Sequence, residues 1–261
     1  MRLAKLVAVA ALAIAAATGT AGAKDWKTIR IGTEGAYPPF NSVTAAGEIV
    51  GFDIDIAKAL CEKAKVECTF VAQDWDGIIP GLLAGKYDAI VASMSITDER
   101  KKKVAFTKKY YNTPPVWIAP KNSPIKSWDA AGLKGKVVGT QSSTIHANYL
   151  EGEIAPGGAE VKLYATQDEA NADLAAGRLD AVEADKMTLL DWLKKPEASC
   201  CEWKTDVDGK KYVKYFGEGV GIAIRPDDKE LVEIFNKGID EILADGTYQK
   251  INEKYFPFSI Y

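Results

Sequence analysis

The sequence predicts an α/β protein built from two lobes of similar design. Segments typical of strands and of helices alternate along its 261 residues, an order that favours mostly parallel sheets flanked by helices. A weak internal repeat supports the two lobes. AGKYDA at 84–89 is echoed by AGRLDA at 176–181, and IGTE at 31–34 is echoed by VGTQ at 138–141. The two motifs follow each other in the same order in each half of the chain, although matches this short also arise by chance.

The first lobe is predicted to begin with a strand at 29–32, which ends at a turn at 35–39 that contains glycine and two prolines. An amphipathic helix follows, because Phe52, Ile56 and Leu60 recur at intervals of four residues. The other predicted elements are a helix at 78–83, a strand at 88–91, a helix at 97–104, a strand at 138–141 and a strand at 179–185.

The N-terminal residues predict secretion. Arg2 and Lys5 precede an apolar run at 6–17, and small residues that suit a cleavage site follow it. This is the pattern of a signal peptide at residues 1–23, and the run is too short to span a bilayer. We expect the mature chain to begin at Lys24, and no lipid anchor is expected because no cysteine follows the cleavage site. The mature protein is therefore predicted to be soluble and periplasmic.

The charge argues against a nucleic-acid partner. Removing the signal peptide takes the formal charge from −3 to −5, because two basic residues and no acid are lost. A mildly acidic chain lacks the basic stripe that nucleic-acid binding requires. About 240 mature residues are enough for two domains of ordinary size.

The cysteines indicate disulfides rather than metal ligands, because the predicted compartment is oxidising. Cys61 and Cys68 could join a helix to the strand that follows it. Cys200 and Cys201 are adjacent and could form a ring, bond elsewhere or stay reduced. No metal site is expected, since His146 is the only histidine in the chain.

Ligands of open α/β sheets bind beyond the carboxyl ends of the strands, so two facing lobes would enclose a cleft between those ends. The segments that follow predicted strands are therefore the candidate site. They are 34–37, 93–100, 142–146 and Asp185.

The most informative segment is 93–100. Ser93 and Ser95 follow a strand, and Thr97 is placed to cap the next helix. Together with Arg100, these hydroxyl groups and the free backbone N–H groups would form a receptor for a carboxylate. The alternative is that Thr97 only caps the helix and Arg100 is a solvated helical residue.

The other candidates complete a receptor for a zwitterionic amino acid with a cationic side chain. Thr144 offers a second set of donors, and Asp185 is an acid that could accept an ammonium group. Tyr37 and Trp75 are candidate aromatic walls, while Glu34 is a further acid that could accept a side-chain cation. Each of these residues also has an ordinary structural interpretation as a cap, a surface acid or a core aromatic.

The sequence lacks the motifs of the common catalytic and nucleotide-binding sites. No G-x-S-x-G elbow accompanies His146, and neither a P-loop nor a dinucleotide fingerprint is present. We therefore predict a binding protein that is not an enzyme and that needs no cofactor.

The chain resembles the polar amino-acid-binding proteins of bacterial ABC importers, in particular the lysine/arginine/ornithine- and histidine-binding group and the related octopine- and nopaline-binding proteins. The resemblance covers essentially the whole mature chain. It is carried by GTEGAYPPF at 32–40, GFDIDIA at 51–57, the segment 88–100, GRLDA at 177–181 and the C-terminal segment 245–256.

The resemblance implies the two-lobe periplasmic-binding-protein fold, type II, with two hinge strands between the lobes. Lobe 1 would be discontinuous, at 24–112 and 218–261, and lobe 2 would be 113–217. The chain would cross between the lobes near Tyr111 and again near Phe216.

The resemblance also assigns roles to the candidate residues. Arg100, Ser93, Ser95 and the pair Thr144 and Ile145 would bind the α-carboxylate. Asp185 would bind the α-ammonium, Tyr37 and Trp75 would hold the side chain, and Glu34 would take its distal cation. The predicted ligand-binding set is Glu34, Tyr37, Trp75, Ala92, Ser93, Ser95, Arg100, Gln141, Thr144, Ile145 and Asp185.

Some residues depart from the family pattern. Ala92 stands where relatives often have serine, Ile145 replaces a common threonine, and Ser143 replaces a common glycine. Cys61 and Cys68 have the spacing of the disulfide found in the lysine/arginine/ornithine and histidine binders. Residues 191–214 match least, and their role is open.

The expected function is to capture a basic amino acid, arginine first, or an opine such as octopine, and to deliver it as a monomer to the permease of an ABC importer. The alternatives are an enzyme on the same scaffold, resembling cyclohexadienyl dehydratases, and a sensor that reports its ligand to a membrane receptor.

Overall fold

The computed structural model describes residues 26–261. The predicted signal peptide and the expected start at Lys24 lie outside these residues. Within them, helices and strands alternate as the sequence predicts. No helix of residues 26–261 has both the length and the apolar character needed to cross a membrane.

Strands and helices have the following bounds. The strands are β1 (Thr28–Thr33), β2 (Ala36–Tyr37), β3 (Asn41–Val43), β4 (Ile49–Val50), β5 (Glu67–Ala72), β6 (Ala89–Ile90), β7 (Ala105–Tyr111), β8 (Pro115–Pro120), β9 (Val137–Gln141), β10 (Glu160–Tyr164), β11 (Ala181–Asp185), β12 (Cys201–Asp206) and β13 (Val220–Ile224). The α-helices are α1 (Phe52–Ala64), α2 (Trp75–Leu83), α3 (Asp98–Lys101), α4 (Ile145–Tyr149), α5 (Gln167–Ala175), α6 (Lys186–Trp192), α7 (Val213–Phe216), α8 (Lys229–Ala244) and α9 (Thr247–Tyr255). Shorter helical turns are a π-turn at Leu150–Ile154 and 3₁₀ turns at Ala155–Gly157 and Pro196–Cys200.

Two five-stranded sheets have the same topology. The first has the order β5-β1-β6-β13-β7, and the second has the order β10-β9-β11-β8-β12. In each sheet the first three strands are mutually parallel and the fourth is antiparallel to both of its neighbours. Four of the five strands therefore run in one direction. The repeated segments of the sequence occupy equivalent places, since β1 corresponds to β9 and β6 to β11.

The chain passes between the sheets twice. It leaves β7 through residues 112–114 to enter β8, and it returns through residues 217–219 to enter β13. The return requires glycine at position 217, where φ is +73° and a Cβ atom would lie 2.1 Å from the carbonyl oxygen of Ile96. Within residues 26–261 these two short connections are the only covalent links between the sheets, because every other connection joins elements of the same sheet or its flanking helices.

An aromatic cluster lies beneath the first crossing. Helix α1 packs against α8 and α9, and the buried rings of Phe40, Phe52, Tyr111 and Phe256 contact one another. The centres of the Phe40 and Tyr111 rings are 4.7 Å apart. The loop that carries Tyr37 is thereby joined to the end of β7.

Three predicted elements have a boundary that is wrong by two residues or more. The helix expected at 97–104 is only the four residues of α3, because β7 begins at Ala105, where it pairs with Ile224 of β13. The helix expected from 78 begins at Trp75. The strand expected from 179 begins at Ala181, where it starts to pair with β9.

Both cysteine pairs are bonded. Cys61 of α1 is joined to Cys68 of β5, as predicted. Cys200 and Cys201 form a ring between adjacent residues, which was one of three possibilities left open by the sequence. Cys201 is buried in the core of the second sheet.

Removing the Cys61–Cys68 bond should lower the free energy of unfolding by about 2.5 kcal/mol, because the bond closes a short loop in the unfolded chain. The double variant Cys61→Ser/Cys68→Ser should therefore melt about 5–10 °C below the parent protein in a calorimetric scan. The variant Cys200→Ser/Cys201→Ser is the control, since its bond encloses no loop and should change the melting temperature less. Equal shifts in the two variants would contradict this account.

Candidate functional site

A cavity of about 420 Å³ lies between the two sheets. Every residue in the predicted ligand-binding set lines it. These residues are Glu34, Tyr37, Trp75, Ala92, Ser93, Ser95, Arg100, Gln141, Thr144, Ile145 and Asp185. The volume falls in the range of pockets that enclose small molecules.

The topology explains why these residues meet. In each sheet, the strands that run in the common direction end at the cleft, as expected for open α/β sheets. Glu34 directly follows β1, and Ser93 follows β6 by three residues. Gln141 and Asp185 are the last residues of β9 and β11.

Arg100 presents its guanidinium to the cavity. Nη1 donates to the carbonyl oxygen of Ser95 at 3.0 Å, and Nη2 donates across the cleft to that of Ser143 at 3.5 Å. The guanidinium carbon lies 5.3 Å from the centre of the Trp75 ring. Burial lowers the pKa of Arg100 to about 10, although the negative charge of Glu99 acts to raise it. Within residues 26–261 Arg100 forms no ion pair, so this cation is available to an anionic ligand.

Of the three hydroxyl groups that were expected to bind the carboxylate beside Arg100, two already donate hydrogen bonds within the protein. The hydroxyl of Ser93 donates to Asp53 at 3.0 Å. The hydroxyl of Thr144 donates to the carbonyl oxygen of Gln141 at 2.7 Å. It also accepts from the N–H of Ala147, so that Thr144 caps α4. The hydroxyl of Ser95 forms no hydrogen bond within the described residues. The donors left for a carboxylate are therefore Arg100, Ser95 and backbone N–H groups.

Asp185 is the acid on the opposite side of the cavity. One carboxylate oxygen accepts from the N–H of Met187 at 2.8 Å and caps α6, and the other accepts from the hydroxyl of Thr113. Burial raises the pKa of Asp185, while the Thr113 hydrogen bond and the charge of His146 oppose the rise. In the part of the chain that the structure describes, Asp185 forms no ion pair.

Glu34 and Gln141 meet across the cleft. The side-chain nitrogen of Gln141 donates to Glu34 and also to the carbonyl oxygen of Ala165, at 3.1 Å. Glu34 is 9% exposed. Burial raises its pKa to about 7, the bond from Gln141 lowers it, and nearby aspartates raise it further. The two residues occupy matching positions of the internal repeat, one from each lobe.

The cleft is closed by contacts between the two lobes. The indole N–H of Trp75 donates to the carbonyl oxygen of Ser143 at 3.0 Å, and the hydroxyl of Ser142 donates to Asp76 at 3.2 Å. Tyr37 is also buried, and its ring stacks on that of Phe40. Trp75 and Tyr37 are the two large aromatic side chains among the predicted cavity residues.

The match to a known family covers nearly all of the described residues. The model of the bacterial extracellular solute-binding proteins, family 3, matches residues 29–258. The chain is a bacterial extracellular solute-binding protein of family 3.

Several relatives of this solute-binding protein are known. It is 46% identical over 266 residues to the L-arginine-binding protein of Pseudomonas aeruginosa, and the match covers 98% of each chain. It is 43% identical over 236 residues to the lysine/arginine/ornithine-binding periplasmic protein of Escherichia coli, covering 90% of each. A solved structure of an ancestral arginine-binding protein bound to arginine has a TM-score of 0.81 and 37% identity, over 88% of this chain and 98% of that chain.

Part of the cavity of this solute-binding protein was not predicted from the sequence. Residues 206–210 line it, although the segment 191–214 had no assigned role. They reach the cavity because β12 runs in the common direction of the second sheet and ends at Asp206. Beside that end, Val116 pairs with Asp206 and Pro115 with Asp185. The strand shows no clear apolar alternation, so no periodic pattern predicts it.

A buried pair beside the cavity was also missed. His146 lines the cavity, and its Nδ1 lies 3.0 Å from the fully buried carboxylate of Glu183. Glu183 precedes Asp185 by two residues on β11, so both side chains are on the same face of the sheet. That two-residue spacing was the available signal.

Proposed function

We propose that this solute-binding protein captures a basic amino acid, with arginine as the preferred ligand, in the cavity between its lobes. The observation that carries the proposal is the pair Arg100 and Asp185. Both face one cavity, and neither has an ion-pair partner within residues 26–261. Buried charges are normally paired, and the two charged groups of an amino acid would pair both.

Each part of arginine has a counterpart in the cavity. Arg100 binds the α-carboxylate together with Ser95 and backbone N–H groups, and Asp185 binds the α-ammonium. The rings of Tyr37 and Trp75 flank the aliphatic stem. Glu34, held by Gln141, accepts the distal guanidinium. The names of the relatives, which are binders of arginine, lysine and ornithine, support a cationic side chain.

Octopine is the competing ligand. It carries the same guanidinium and a carboxylate, with a second carboxylate arm on its α-nitrogen. Residues 206–210 extend the lining beyond the groups that a free amino acid would use. In this segment Lys210 would attract the second carboxylate, whereas Asp206 and Asp208 would repel it, so the segment does not by itself favour octopine over arginine.

The proposal extends to the setting in which the protein acts. Lobe 1 is residues 24–112 and 218–261, and lobe 2 is residues 113–217. The signal peptide at 1–23 directs the monomeric protein to the periplasm. There the closed form docks on the permease of an ABC importer. The periplasmic and ABC-transporter relatives support this setting.

An enzyme or a sensor on the same scaffold would use the same cleft. The binding-protein names of the relatives favour binding over catalysis. Formation of product from prephenate or arogenate would establish the enzyme. Normal growth on arginine as nitrogen source after deletion of the gene would favour the sensor over the transporter.

A thermal-shift screen of the ligand-stripped protein tests the function. The panel holds arginine, lysine, ornithine, histidine, glutamine, glutamate, octopine and prephenate. At a hundredfold excess over its Kd, a ligand should add about 2.7 kcal/mol to the free energy of unfolding, or roughly 5–10 °C to the melting temperature. We expect the largest shift with arginine. A shift with glutamate or glutamine alone would contradict the role of Glu34, and a shift with prephenate alone would contradict the binding-protein function.

A further inference from the structure

Asp53 is a fully buried carboxylate that does not line the cavity. It lies in the first turn of α1, where the helix dipole favours a negative charge. Its two oxygens accept three side-chain hydrogen bonds, from Asn41 at 2.9 Å, from Ser93 at 3.0 Å and from Tyr110 at 2.7 Å. No role for this residue was predicted from the sequence.

The first donor connects Asp53 to the loop of Glu34. While the side-chain nitrogen of Asn41 donates to Asp53, its side-chain oxygen accepts the backbone N–H of Gly35 at 2.8 Å. Gly35 directly follows Glu34 and has a φ of +78°. The chain of two hydrogen bonds therefore fixes the backbone that aims Glu34 into the cavity.

The second donor connects Asp53 to the loop that carries Ser93 and Ser95. In the proposed function this loop is at the α-carboxylate end of the ligand. Ser93 has a φ of +54°, a left-handed conformation that is unfavourable for a residue with a side chain. Its hydroxyl is held by Asp53. Ser95, whose carbonyl oxygen accepts from Arg100, lies two residues further along the same loop.

The third donor connects Asp53 to the crossing between the lobes. Tyr110 is fully buried in β7, one residue before the strand ends at Tyr111. The chain leaves for the second sheet directly after this point. Asp53 thus joins both ligand loops of the first lobe to the strand from which the second lobe departs.

The surroundings of Asp53 are costly for a carboxylate. Burial raises its pKa, and the bonds from Tyr110, Asn41 and Ser93 oppose this rise. Among residues 26–261 no lysine or arginine forms an ion pair with it. Only neutral donors and the helix N-terminus offset the cost of burying this charge. For stability alone, an apolar core residue at this position would cost less free energy.

We propose that Asp53 is a positioning residue for ligand binding, which holds the Glu34 loop, the Ser93 loop and the end of β7 in the arrangement that the ligand requires. The inference rests on the proposed function, because the ligand bridges the two loops. It extends that function by assigning part of the affinity to a residue that the ligand does not touch.

The test compares Asp53→Asn with Asp55→Asn. The first keeps the shape of the side chain but replaces one carboxylate oxygen by an N–H₂ group, which must face either the hydroxyl of Tyr110 or the two donors of Asn41 and Ser93. The second changes an acid two residues along the same helix, whose carboxylate bonds only to Lys254 and Tyr255 among residues 26–261, away from the cavity. Two quantities are measured on each protein. They are the Kd for arginine by calorimetry at 10 °C, and backbone hydrogen exchange of the ligand-free protein.

We expect Asp53→Asn to weaken arginine binding by about tenfold or more, as the loss of one or two buried hydrogen bonds implies. Exchange should become faster in both loops, at 34–37 and 92–95, and Asp55→Asn should change neither quantity. A merely structural role would lower the melting temperature and leave the Kd of the folded protein unchanged at 10 °C. Unchanged loop exchange and an unchanged Kd would overturn the inference.

The double variant Asn41→Ala/Asp53→Asn sharpens the test, because both residues act through the same N–H group of Gly35. Its loss of affinity should be smaller than the product of the two single losses. If Asp53→Asn does not fold, Tyr110→Phe removes one donor and should act in the same direction by about threefold. If that variant also leaves affinity and loop exchange unchanged, the inference is wrong.

Failure of the inference can be told apart from failure of the proposed function. A parent protein that does not bind arginine would contradict the function. Faster exchange of both loops in Asp53→Asn would still support the positioning role, since that measurement needs no ligand.

Discussion

Replacing Arg100 by alanine should weaken arginine binding by about a hundredfold or more and leave the fold intact. The guanidinium bonds only to carbonyl oxygens and forms no ion pair within the described residues. Its removal therefore leaves no protein carboxylate without its partner. The ligand's carboxylate, in contrast, would be buried without its cation. Truncating one member of a buried charge pair usually costs ~2–5 kcal/mol of binding free energy. Titration calorimetry at pH 8 measures the change.

Arg178→Ala is the matched control for this prediction. Arg178 is an exposed arginine whose guanidinium bonds to Asp173, and it does not line the cavity. Its removal should leave the Kd for arginine within twofold of the parent value, since exposed ion pairs contribute little. Near-parental affinity in Arg100→Ala would remove Arg100 from the site.

Affinity for arginine should rise by about 30-fold between pH 5.5 and pH 8, because the ligand's guanidinium needs Glu34 in its charged form. In the ligand-free protein the pKa of Glu34 is about 7, so only a few per cent of it is charged at pH 5.5 and most of it at pH 8. Binding at low pH must first release this proton. Calorimetry across the pH range measures the slope.

Glu34→Gln supplies the comparison. It should bind arginine weakly, with a much smaller dependence on pH. Any slope that remains reports Asp185, whose pKa is also raised. If the parent and Glu34→Gln proteins show the same slope, Glu34 does not pair with the ligand.

The same pKa predicts how the ligand-free protein responds to pH. A carboxyl group with a pKa of about 7 in the folded state holds its proton more tightly than the same group in the unfolded chain, where the pKa is 4.5. Its contribution to stability is therefore complete below pH 4.5 and is lost as the pH rises to about 7, an effect on the order of 3 kcal/mol. Saturating arginine should weaken or reverse this trend.

The sequence predicted those parts of the site that depend on the order of strands. Glu34, Gln141 and Asp185 come at or just after strands of equivalent sheets, and parallel strands bring their carboxyl ends to one edge. The internal repeat, although short, corresponds to matching strands. Periodicity and local motifs were therefore enough to predict an α/β fold with two lobes and to place these residues at strand ends.

Other features depend on contacts that no local pattern records. Hydroxyl or backbone N–H groups of Ser93 and Thr144 were expected to bind the ligand, and the two hydroxyl groups donate instead to Asp53 and to the carbonyl oxygen of Gln141. The role of Asp53 arises from three donors that are 12, 40 and 57 residues away. Residues 206–210 reach the cavity only through the pairing of β12 with β8.

The strand order of the first sheet has a consequence for the order of folding. Strands β6 and β7 do not pair with each other, and both pair with β13, which lies more than a hundred residues later in the chain. The second sheet, in contrast, is made entirely from one continuous segment. A chain that emerges from its N-terminus can thus complete its second sheet while the first still lacks the strand that lies between β6 and β7. The part of the protein that emerges first is therefore the part that is completed last.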